Sequence, residues 1–506
     1  METLVNTLNS FVWSPALIFL LLGAGLFFSV LTRFVQVRLF REMLKLLVSG
    51  KSSEQGISSF QALSVSLSGR VGTGNIAGVA AAIGFGGPGA VFWMWVVAFL
   101  GSATAYIEST LGQIYKEEDE GQYRGGPAYY IEKAMGQKWY AWIFAIATIL
   151  STGLLLPGVQ SNAIGNAVAT AIGPGEILQT GFGDIETTKL ITGTVVVSIL
   201  GFIIFGGVKR IAHVTQVVVP FMALAYIMAA CVIIALNVEK LPGIFSMILT
   251  DAFTPMAGVG AAIGWGVKRG VYSNEAGQGT GPHAAAASEV EHPAQQGLVQ
   301  AFSVYIDTLF VCTATALMIL ITGAYNVHNP EGGLLIQNVA ADIAANSPAF
   351  TQHAVESMLP GVGKPFIAVA LFFFAFTTLL AYYYIAETNV AYIRRTLRVP
   401  GELFVLKLLL MGAVFYGTVR TANLAWALGD LGVGLMAWLN VIGILILFAM
   451  GSPAIKALKD YEAQRKAGVT KYTFDPDALG IKNAEFWRQK GESVASAREQ
   501  KPTTPE

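Results

Sequence analysis

Residues 68–78, SGRVGTGNIAG, and residues 258–281, GVGAAIGWGVKRGVYSNEAGQGTG, are glycine-rich polar stretches that interrupt long apolar runs. Within lipid, a helix unwinds only where its freed N–H and C=O groups find other partners. Paired interruptions of this kind are typical of a ligand site near the middle of the bilayer, between two broken helices. The two stretches therefore predict both the fold and the place of the site.

The composition is that of an integral membrane protein. Charged residues make up 13% of the 506 residues and hydrophobic residues 54%, with a mean hydropathy of +0.57. Soluble domains carry about 25% charged residues, so a soluble enzyme or a nucleic-acid-binding protein is disfavoured. The two cysteines and five histidines show no spacing that predicts a disulfide framework or a metal cluster. We expect no bound cofactor.

Apolar runs of about 20 residues, long enough to cross a bilayer, recur along the chain. They predict an all-α membrane protein with eleven helices, near residues 13–32, 58–84, 89–115, 139–171, 189–206, 212–237, 247–270, 294–322, 364–393, 402–418 and 421–450. We interpret the first run as an extra, retained N-terminal helix. After residue 450 the chain becomes polar and charged, which predicts a tail outside the bilayer.

The positions of the two interruptions predict an internal repeat. If the N-terminal helix is set aside, ten helices remain, and the interrupted ones are the first and the sixth of those ten. Because five is an odd number, two five-helix halves cross the bilayer in opposite senses, which gives a five-plus-five inverted repeat. The predicted divisions are the N-terminal helix with its connector, two repeats and a tail, at residues 1–57, 58–237, 238–450 and 451–506.

The distribution of basic residues predicts the orientation. Connections on one side of the bilayer hold sixteen Lys and Arg, among them Arg33, Arg124, Lys268 and Arg269, and those on the other side hold four. Cytoplasmic connections carry the excess of Lys and Arg. We therefore predict a multi-pass protein of a bacterial-type cell (inner) membrane, with the N-terminus outside and the C-terminus in the cytoplasm.

The first interruption has the features of a carboxylate site. Gly72, Thr73, Gly74 and Asn75 follow the unwound stretch and open the outer half of the helix. Free N–H groups and the positive end of a helix dipole suit a negative group there, and glycine lets a ligand approach the backbone closely. Gly74 and Gly78 also fit a plain helix-packing motif, which stays an alternative for that pair.

The second interruption is expected to provide the opposite half of the site. Ala262, Ile263 and Gly264 would present carbonyl groups without helical partners, which can accept hydrogen bonds from an ammonium group. Trp265, which lies between two glycines, would cover an aliphatic substituent, with a core or interfacial role as the alternative. Together the two interruptions predict a site for a small zwitterion of the amino-acid type.

Charged residues in or beside the spans are Arg70, Lys268, Arg269, Glu275, Asp307, Glu387 and Asp430. A charge at the centre of a span costs about 2.5 to 3.5 kcal/mol on insertion scales, so these groups are expected to face polar cavities or one another. We predict that Arg70 pairs with Glu275 or Asp307 to form an inner gate. Lys268 and Arg269 are interpreted as extending to the cytoplasmic interface.

Residues 69–95, GRVGTGNIAGVAAAIGFGGPGAVFWMW, and 268–288, KRGVYSNEAGQGTGPHAAAAS, closely resemble the two signatures of the alanine or glycine:cation symporter family. The resemblance implies a leucine-transporter-like bundle. It also implies a secondary transporter that carries a small neutral amino acid, alanine or glycine, with a sodium ion by alternating access. No nucleophile or paired acids stand out in the spans, so we expect no enzymatic activity.

The resemblance also implies which residues contact the ligands. The substrate contacts would be Thr73, Gly74 and Asn75, with Gln160 on the third core helix, and Gly264 and Trp265. Gln160 could instead be a packing residue bonded to a neighbouring helix.

Similarity to the wider inverted-repeat fold suggests a sodium site. Its ligands would be the carbonyl groups of Ser68 and Val71 and the hydroxyls of Thr377 and Thr378. The alternative is that both threonines bond back to their own helix.

Several alternatives stay open from the sequence. The substrate could be glutamine, serine or a D-amino acid. Proton coupling through Glu108, Asp307 or Glu387 is the alternative to sodium coupling. A channel is the alternative from another class, although it would need a continuous pore rather than two local interruptions. The oligomeric state is undetermined.

Overall fold

A computed structural model describes residues 2–47, 52–180, 183–254, 256, 258–398 and 400–491. Among these residues, eight helices are long and apolar enough to cross a membrane: Ala90–Ile114, Lys138–Ile172, Thr187–Ile204, Gly207–Ala235, Pro293–Thr322, Gly363–Arg394, Glu402–Val419 and Ala422–Ala449. The helices Thr3–Val12 and Pro15–Leu31 form a further candidate span that is bent by 41°. The prediction of a helical membrane protein is confirmed.

The two remaining predicted spans are the interrupted ones. The first broken helix consists of Ser59–Arg70 and the apolar helix Gly74–Gly86. The second broken helix consists of Val259–Asn274 and Gly281–Ala287, and Leu241–Phe253 precedes it as a separate helix. Because length and composition do not identify broken spans, the number eleven stays a prediction.

Shorter elements connect the spans. The further helices are Val35–Arg38, Phe40–Leu47, Pro127–Met135, Ala349–Met358, Pro453–Lys466 and the 3-10 turn Val238–Lys240. Three π-helical segments, Gly74–Gly78, Ser151–Leu155 and Tyr305–Cys312, lie within longer helices. Three antiparallel hairpins pair Glu117–Asp119 with Gln122–Arg124, Ile177–Thr180 with Gly183–Glu186, and Asn326–His328 with Leu334–Gln337.

The ends of the first broken helix follow from local chemistry. Ser58 caps its N-terminus: the hydroxyl accepts from the Gln61 N–H at 3.2 Å, and the Gln61 side chain accepts from the Ser58 N–H at 3.0 Å. This reciprocal pair satisfies two donors that a helix start leaves free. At the other end, Val71 leaves the helical conformation with φ −79° and ψ 85°. The break predicted in residues 68–78 is therefore confirmed.

The second break lies at residues 275–280, at the C-terminal end of the predicted stretch. Glu275 adopts the left-handed conformation with φ 58°, and Gly277 and Gly279 have φ values of 82° and 86°. Two positive φ values so close together favour glycine, which has no Cβ to clash. Pro282 then occupies the first turn of the new helix, where its missing N–H costs nothing.

The expectation that Ala262, Ile263 and Gly264 lack helical partners is wrong. All three lie inside the continuous helix Val259–Asn274. Gly266 serves close packing instead, since a Cβ there would stand 2.6 Å from the Cβ of Trp93. Sequence alone does not separate a glycine that unwinds a helix from one that admits a neighbouring helix.

The predicted tail folds back onto the bundle. The helix Pro453–Lys466 follows the last span, and the side chains of Phe474, Ile481 and Trp487 are buried in the main hydrophobic core. Residues 492–506, the end of the predicted tail, lie outside the described residues. The boundaries of the two predicted repeats stay predictions.

Candidate functional site

The first break is held by two side-chain oxygens. The Thr73 N–H donates to Oε1 of Gln160 at 3.0 Å, and the Gly72 N–H donates to Oδ1 of Asn75 at 2.8 Å. All four residues are buried. The backbone N–H groups of the break are therefore both bonded to neutral side-chain oxygens. Gln160 is bonded to a neighbouring helix, and that bond lies at the break itself.

Neither glycine of this break has room for a side chain. A Cβ on Gly72 would lie 3.0 Å from Oε1 of Gln160 and would collide with the hydroxyl of Thr378. A Cβ on Gly74 would lie 3.0 Å from Cα of Ser273, on the second broken helix. The two broken helices therefore cross in backbone contact at Gly74 and Ser273.

Thr378 connects the first broken helix to the helix Gly363–Arg394. Its hydroxyl donates to the carbonyl oxygen of Ser68 at 2.8 Å, and it also lies 3.0 Å from the carbonyl oxygen of Phe374. The hydroxyl of Thr377 instead bonds within its own helix, at 2.9 Å from the Phe373 oxygen. Of the predicted sodium ligands, the structure thus brings Thr378 and Ser68 together. Thr377 follows the alternative expectation, a hydroxyl that bonds back to its own helix.

Asp307 organises a buried polar network between the broken helices. Its Oδ1 accepts from the Asn75 amide at 2.6 Å and from the Ser273 hydroxyl at 3.0 Å, and its Oδ2 accepts from the Thr308 hydroxyl at 2.7 Å. Asn75 belongs to the first broken helix, Ser273 to the second, and Asp307 to the π-helical segment Tyr305–Cys312. One carboxylate therefore fixes both helices beside the break.

A second carboxylate network supports the second break. The Thr280 hydroxyl donates to Oε2 of Glu275 at 2.8 Å, which bridges the ends of the unwound segment. Glu108 accepts from the Gly277 N–H at 3.3 Å and from the Asn440 amide at 2.7 Å. The Asn440 amide also donates to the carbonyl oxygen of Gly277 at 2.9 Å. The freed backbone groups of Gly277 thus find partners on two other helices.

The predicted ion pair of Arg70 with Glu275 or Asp307 does not form. Nη1 of Arg70 donates to the Gln300 carbonyl oxygen at 3.0 Å and to the Ser303 hydroxyl, both on the helix Pro293–Val304. Within the described part of the chain, no acidic oxygen lies within 4.0 Å of this guanidinium. The two acids are bonded instead to the Asn75 amide and to the hydroxyls of Ser273, Thr308 and Thr280.

Trp265 lies at the far end of the first broken helix. Its ring stacks on Phe85 with centroids 4.7 Å apart, and Phe85 stacks on His328 at 4.9 Å. Gly264 faces the N-terminal helix, since a Cβ there would lie 3.7 Å from Cδ1 of Ile18. The residue that faces Gly74 is therefore Ser273, near the C-terminal end of the helix Val259–Asn274. Among the residues that the structure describes, the contacts that were expected at the first break from Ile263, Gly264 and Trp265 are not found there.

The other charged groups in the spans are paired with each other. Arg269 binds Asp430 through two bonds of 2.8 and 2.9 Å, and Lys268 lies 2.6 Å from the same carboxylate. Both side chains therefore bind a carboxylate of a neighbouring helix, as expected for charges in a span, and their extension to the cytoplasmic interface stays a prediction. Arg124 lies 3.3 Å from Glu387.

Sequence reasoning missed Ser273, Thr280 and Asn440. Ser273 and Thr280 stand in the second quoted stretch, in YSNEAGQGT, but their side chains gave no signal beyond polarity. A useful signal was present in that segment: two glycines alternating with polar residues after Glu275 fit an unwound segment better than the glycines of GVGAAIGWG do. Asn440 is an isolated polar residue in the apolar run that follows Asp430 in the last span.

Comparison with known proteins decides the family. A family model described as the sodium:alanine symporter family matches residues 1–476. The chain belongs to the sodium:alanine symporter family. It is 57% identical over 493 residues to the putative sodium/proton-dependent alanine carrier protein YrbD of Bacillus subtilis (strain 168), covering 97% of this chain and 98% of that protein. It is 51% identical over 449 residues to the sodium/proton-dependent alanine carrier protein of Bacillus sp. (strain PS3), covering 88% and 97%.

A solved structure extends the comparison to the fold. The crystal structure of MhsT in complex with L-phenylalanine superposes with a TM-score of 0.52 at 15% sequence identity, and covers 79% of this chain and 100% of that one. At this identity the likeness concerns the fold alone. This member of the sodium:alanine symporter family therefore has the leucine-transporter-like, five-plus-five inverted-repeat fold, with two broken helices crossing at its centre.

Proposed function

We propose that this symporter-family member takes up a small neutral amino acid, alanine or glycine, together with sodium by alternating access. The observation that carries the proposal is the first break. There, Gln160 reaches the Thr73 N–H while Thr378 reaches the Ser68 carbonyl oxygen on the other side of Gly72. In this proposal the substrate position lies beside the Thr73 N–H and the cation position beside the Ser68 carbonyl oxygen, on the two sides of Gly72. The names of the two Bacillus relatives, which specify alanine, support the same substrate.

The site suits a zwitterion because two helix ends meet there. The outer half of the first broken helix starts at Gly74, so its positive end faces the break. The helix Val259–Asn274 ends beside it, and the last carbonyl groups of a helix carry partial negative charge. We infer that the substrate carboxylate displaces Oε1 of Gln160 from the Thr73 N–H. The ammonium group then lies against the carbonyl groups near Ser273.

The substrate contacts follow from this placement. Gly72, Thr73, Gly74, Asn75 and Gln160 stay as the proposed contacts on the first side. The last turn of Val259–Asn274 takes the role first given to Ile263 and Gly264. The absence of a side chain at Gly72 and Gly74, together with the tight contact to Ser273, favours alanine or glycine over glutamine.

The proposed sodium site uses hard oxygen ligands. Ser68 and Thr378 already share a hydrogen bond of 2.8 Å, so a cation beside that bond would meet a carbonyl and a hydroxyl oxygen at once. Val71 follows three residues later with its carbonyl outside the regular helix. Transfer of one positive charge through 100 mV supplies about 2.3 kcal/mol, enough for roughly a fiftyfold accumulation.

Proton coupling is the second candidate, because both Bacillus relatives are named sodium/proton-dependent carriers. Glu108 and Asp307 are fully buried carboxyl groups in the centre of the bundle. Glu387 is a weaker candidate, since Arg124 already lies 3.3 Å away.

We also propose the orientation with the N-terminus outside and the C-terminus in the cytoplasm of a bacterial-type inner membrane. Lys268 and Arg269 lie inside a helix, and removing these 2 from the 16 leaves 14 basic residues on the cytoplasmic side against 4. The excess of Lys and Arg therefore stays on the side that we assign to the cytoplasm.

Uptake of radiolabelled alanine into proteoliposomes tests the function. We expect accumulation that depends on an inward sodium gradient, rises with an inside-negative potential, and is reduced by excess glycine more than by excess glutamine. Gln160→Ala should abolish uptake, while Gln137→Ala, which removes an exposed glutamine bonded to Trp139, should leave it unchanged. Uptake that ignores sodium and follows a proton gradient selects the second candidate, and an ionic current without saturable uptake selects a channel.

A further inference from the structure

The tail, residues 453–491, is an integral part of one face of the bundle. Trp487 is 3% exposed, and its Nε1 donates to the carbonyl oxygen of Gln113 at 2.8 Å, at the end of the helix Ala90–Ile114. The ring of Phe474 packs edge-on against Trp487, with centroids 5.3 Å apart. This degree of burial is that of a core residue, so the tail is docked rather than merely adjacent.

The tail contacts one short segment in particular. The junction, residues 287–292, joins the end of the second broken helix to the helix Pro293–Val304. Nζ of Lys490 donates to Oε1 of Glu289 at 2.5 Å and to the Val290 carbonyl oxygen at 3.0 Å. The Tyr472 N–H donates to the Glu291 carboxylate at 2.9 Å. Three consecutive junction residues are therefore bonded to the tail.

The same junction holds the start of the first broken helix. The Ile57 N–H donates to the Ala287 carbonyl oxygen at 3.0 Å, and the Glu289 N–H donates to the Ile57 carbonyl oxygen at 2.8 Å. Ile57 directly precedes Ser58, the cap of Ser59–Arg70. On this face of the molecule, the ends of both broken helices are thus joined through the residues that the tail binds.

Lys116, a buried residue, contacts both the junction and the tail. Its buried ammonium group donates to the Ser288 carbonyl oxygen at 2.8 Å. The rings of Tyr123, Phe486 and Trp487 surround it, with centroids 4.2, 4.5 and 5.6 Å from Nζ. A cation enclosed by aromatic rings is stabilised by their negative faces. Two of these three rings come from the tail, so undocking the tail would expose both the cation and the rings.

We propose that residues 469–491 of the tail are a clasp that keeps the transport pathway closed on the tail side, by holding the ends of the two broken helices together through the junction. The inference rests on the proposed alternating-access function, and it takes the opening of this side to include separation of those helix ends. Trp487 and Lys490 are positioning residues in it: they act through Gln113 and the junction and touch no substrate. Release of the clasp shifts the population towards the state open on the tail side.

Thiol accessibility in the full-length protein tests the clasp. Ser66, buried on the half-helix Ser59–Arg70, is replaced by Cys in a Cys231→Ser background, and the same chain without the Ser66→Cys substitution corrects for the buried Cys312. We expect Trp487→Ala to raise the labelling rate by a maleimide about tenfold, the change that corresponds to about 1.4 kcal/mol. Lys490→Gln should raise it in the same direction by a smaller factor.

Arg488→Gln is the matched control, because the Arg488 side chain binds Asp477 within the tail itself at 2.9 Å. Labelling at the parental rate in both Trp487→Ala and Lys490→Gln overturns the proposal, and so does an equal increase in Arg488→Gln. If Trp487→Ala is unstable, Lys490→Gln still tests the proposal, because it leaves the buried Trp487 side chain in place. The assay requires no transport, so absence of sodium-driven alanine uptake by the parent chain contradicts the proposed function and leaves this test standing.

Discussion

Asn75 and Asp307 are joined by a hydrogen bond of 2.6 Å from the amide Nδ2 to the carboxylate Oδ1, while the other end of the Asn75 side chain accepts from the Gly72 N–H at 2.8 Å. One side chain therefore both shapes the first break and attaches it to the neighbouring helix. Hydrogen bonds to a charged group contribute about 1.5 to 3 kcal/mol, more than neutral ones do.

Replacement of Asn75 should therefore impair transport more than expression. In Asn75→Ala, the Gly72 N–H and the Asp307 carboxylate each lose a partner, and we expect alanine uptake to fall by at least about tenfold. Asn166→Ala, which removes a half-buried amide that bonds to Asn162 within its own helix, is the control. Initial rates in proteoliposomes provide the measurement, and equal rates in the two variants contradict the role given to Asn75.

The two adjacent threonines should differ in their effect on sodium. Thr378→Val removes the hydroxyl beside the Ser68 carbonyl oxygen, so we expect the sodium concentration for half-maximal uptake to rise about tenfold. Thr377→Val removes a hydroxyl that bonds within its own helix and should change this concentration little. A sodium titration of uptake at fixed alanine measures both, and a larger shift in Thr377→Val reverses the assignment.

Gly74 should tolerate no larger residue. A Cβ there stands 3.0 Å from Cα and 3.1 Å from Cβ of Ser273, so Gly74→Ala must push two helix backbones apart. We expect loss of uptake and a lower melting temperature. Gly23→Ala is the control, because no atom of the described residues lies within 4 Å of its added Cβ and alanine is favoured in a helix by about 1 kcal/mol. A stable, active Gly74→Ala protein would show that the crossing of the two helices is looser than the contact implies.

Acidification should weaken the junction through His292. Nδ1 of this ring accepts from the Ala294 N–H at 3.1 Å, and Nε2 lies 3.1 Å from Asp460, so the neutral form satisfies both partners. Burial lowers the pKa of His292 below its ordinary value of 6.5, against the opposing effect of Asp460. The stability that this histidine contributes is thus complete above about pH 6.5 and is lost as the pH falls through the lowered pKa of the folded state.

Melting temperatures in detergent at about pH 7.5 and about pH 5.5 test this dependence, since unperturbed histidine titrates between those values. We expect the parent chain to lose more stability on acidification than His292→Asn, in which asparagine keeps the capping acceptor without titrating. The exposed His213, replaced by Asn, should leave the pH dependence of the parent unchanged. An unchanged pH dependence in His292→Asn assigns the effect to other groups.

Asp430 should be needed for folding. It is bonded to both Arg269 and Lys268 inside the bundle, and removal of one partner of a buried ion pair costs about 3 to 5 kcal/mol. Asp430→Asn is therefore expected to lower the melting temperature and the yield of folded protein. Glu186→Gln breaks the more exposed ion pair with Lys189 and should have a small effect, of about 0 to 1 kcal/mol.

The sequence predicted the first break correctly because the determinants there are local. Unwinding explains the glycines at 72 and 74 together with the polar residues at 73 and 75, whereas the helix-packing alternative for Gly74 and Gly78 leaves the polar residues unexplained. The second break was predicted within a longer stretch but placed too early in it. There, the glycines at 264 and 266 allow close approach of Ile18 and Trp93, and the unwinding falls to the glycines at 277 and 279.

By itself, the sequence determined the class of the protein, its helical membrane fold and the existence of two broken helices, because hydropathy and backbone preference act over a few neighbouring residues. Tertiary structure alone decided the partners: Asn75 with Asp307 across 232 positions, Arg70 with Ser303 rather than an acid, and the tail with the junction. A buried polar group must be satisfied by whichever donor or acceptor the packing of distant helices brings within about 3 Å, and no local pattern encodes that distance.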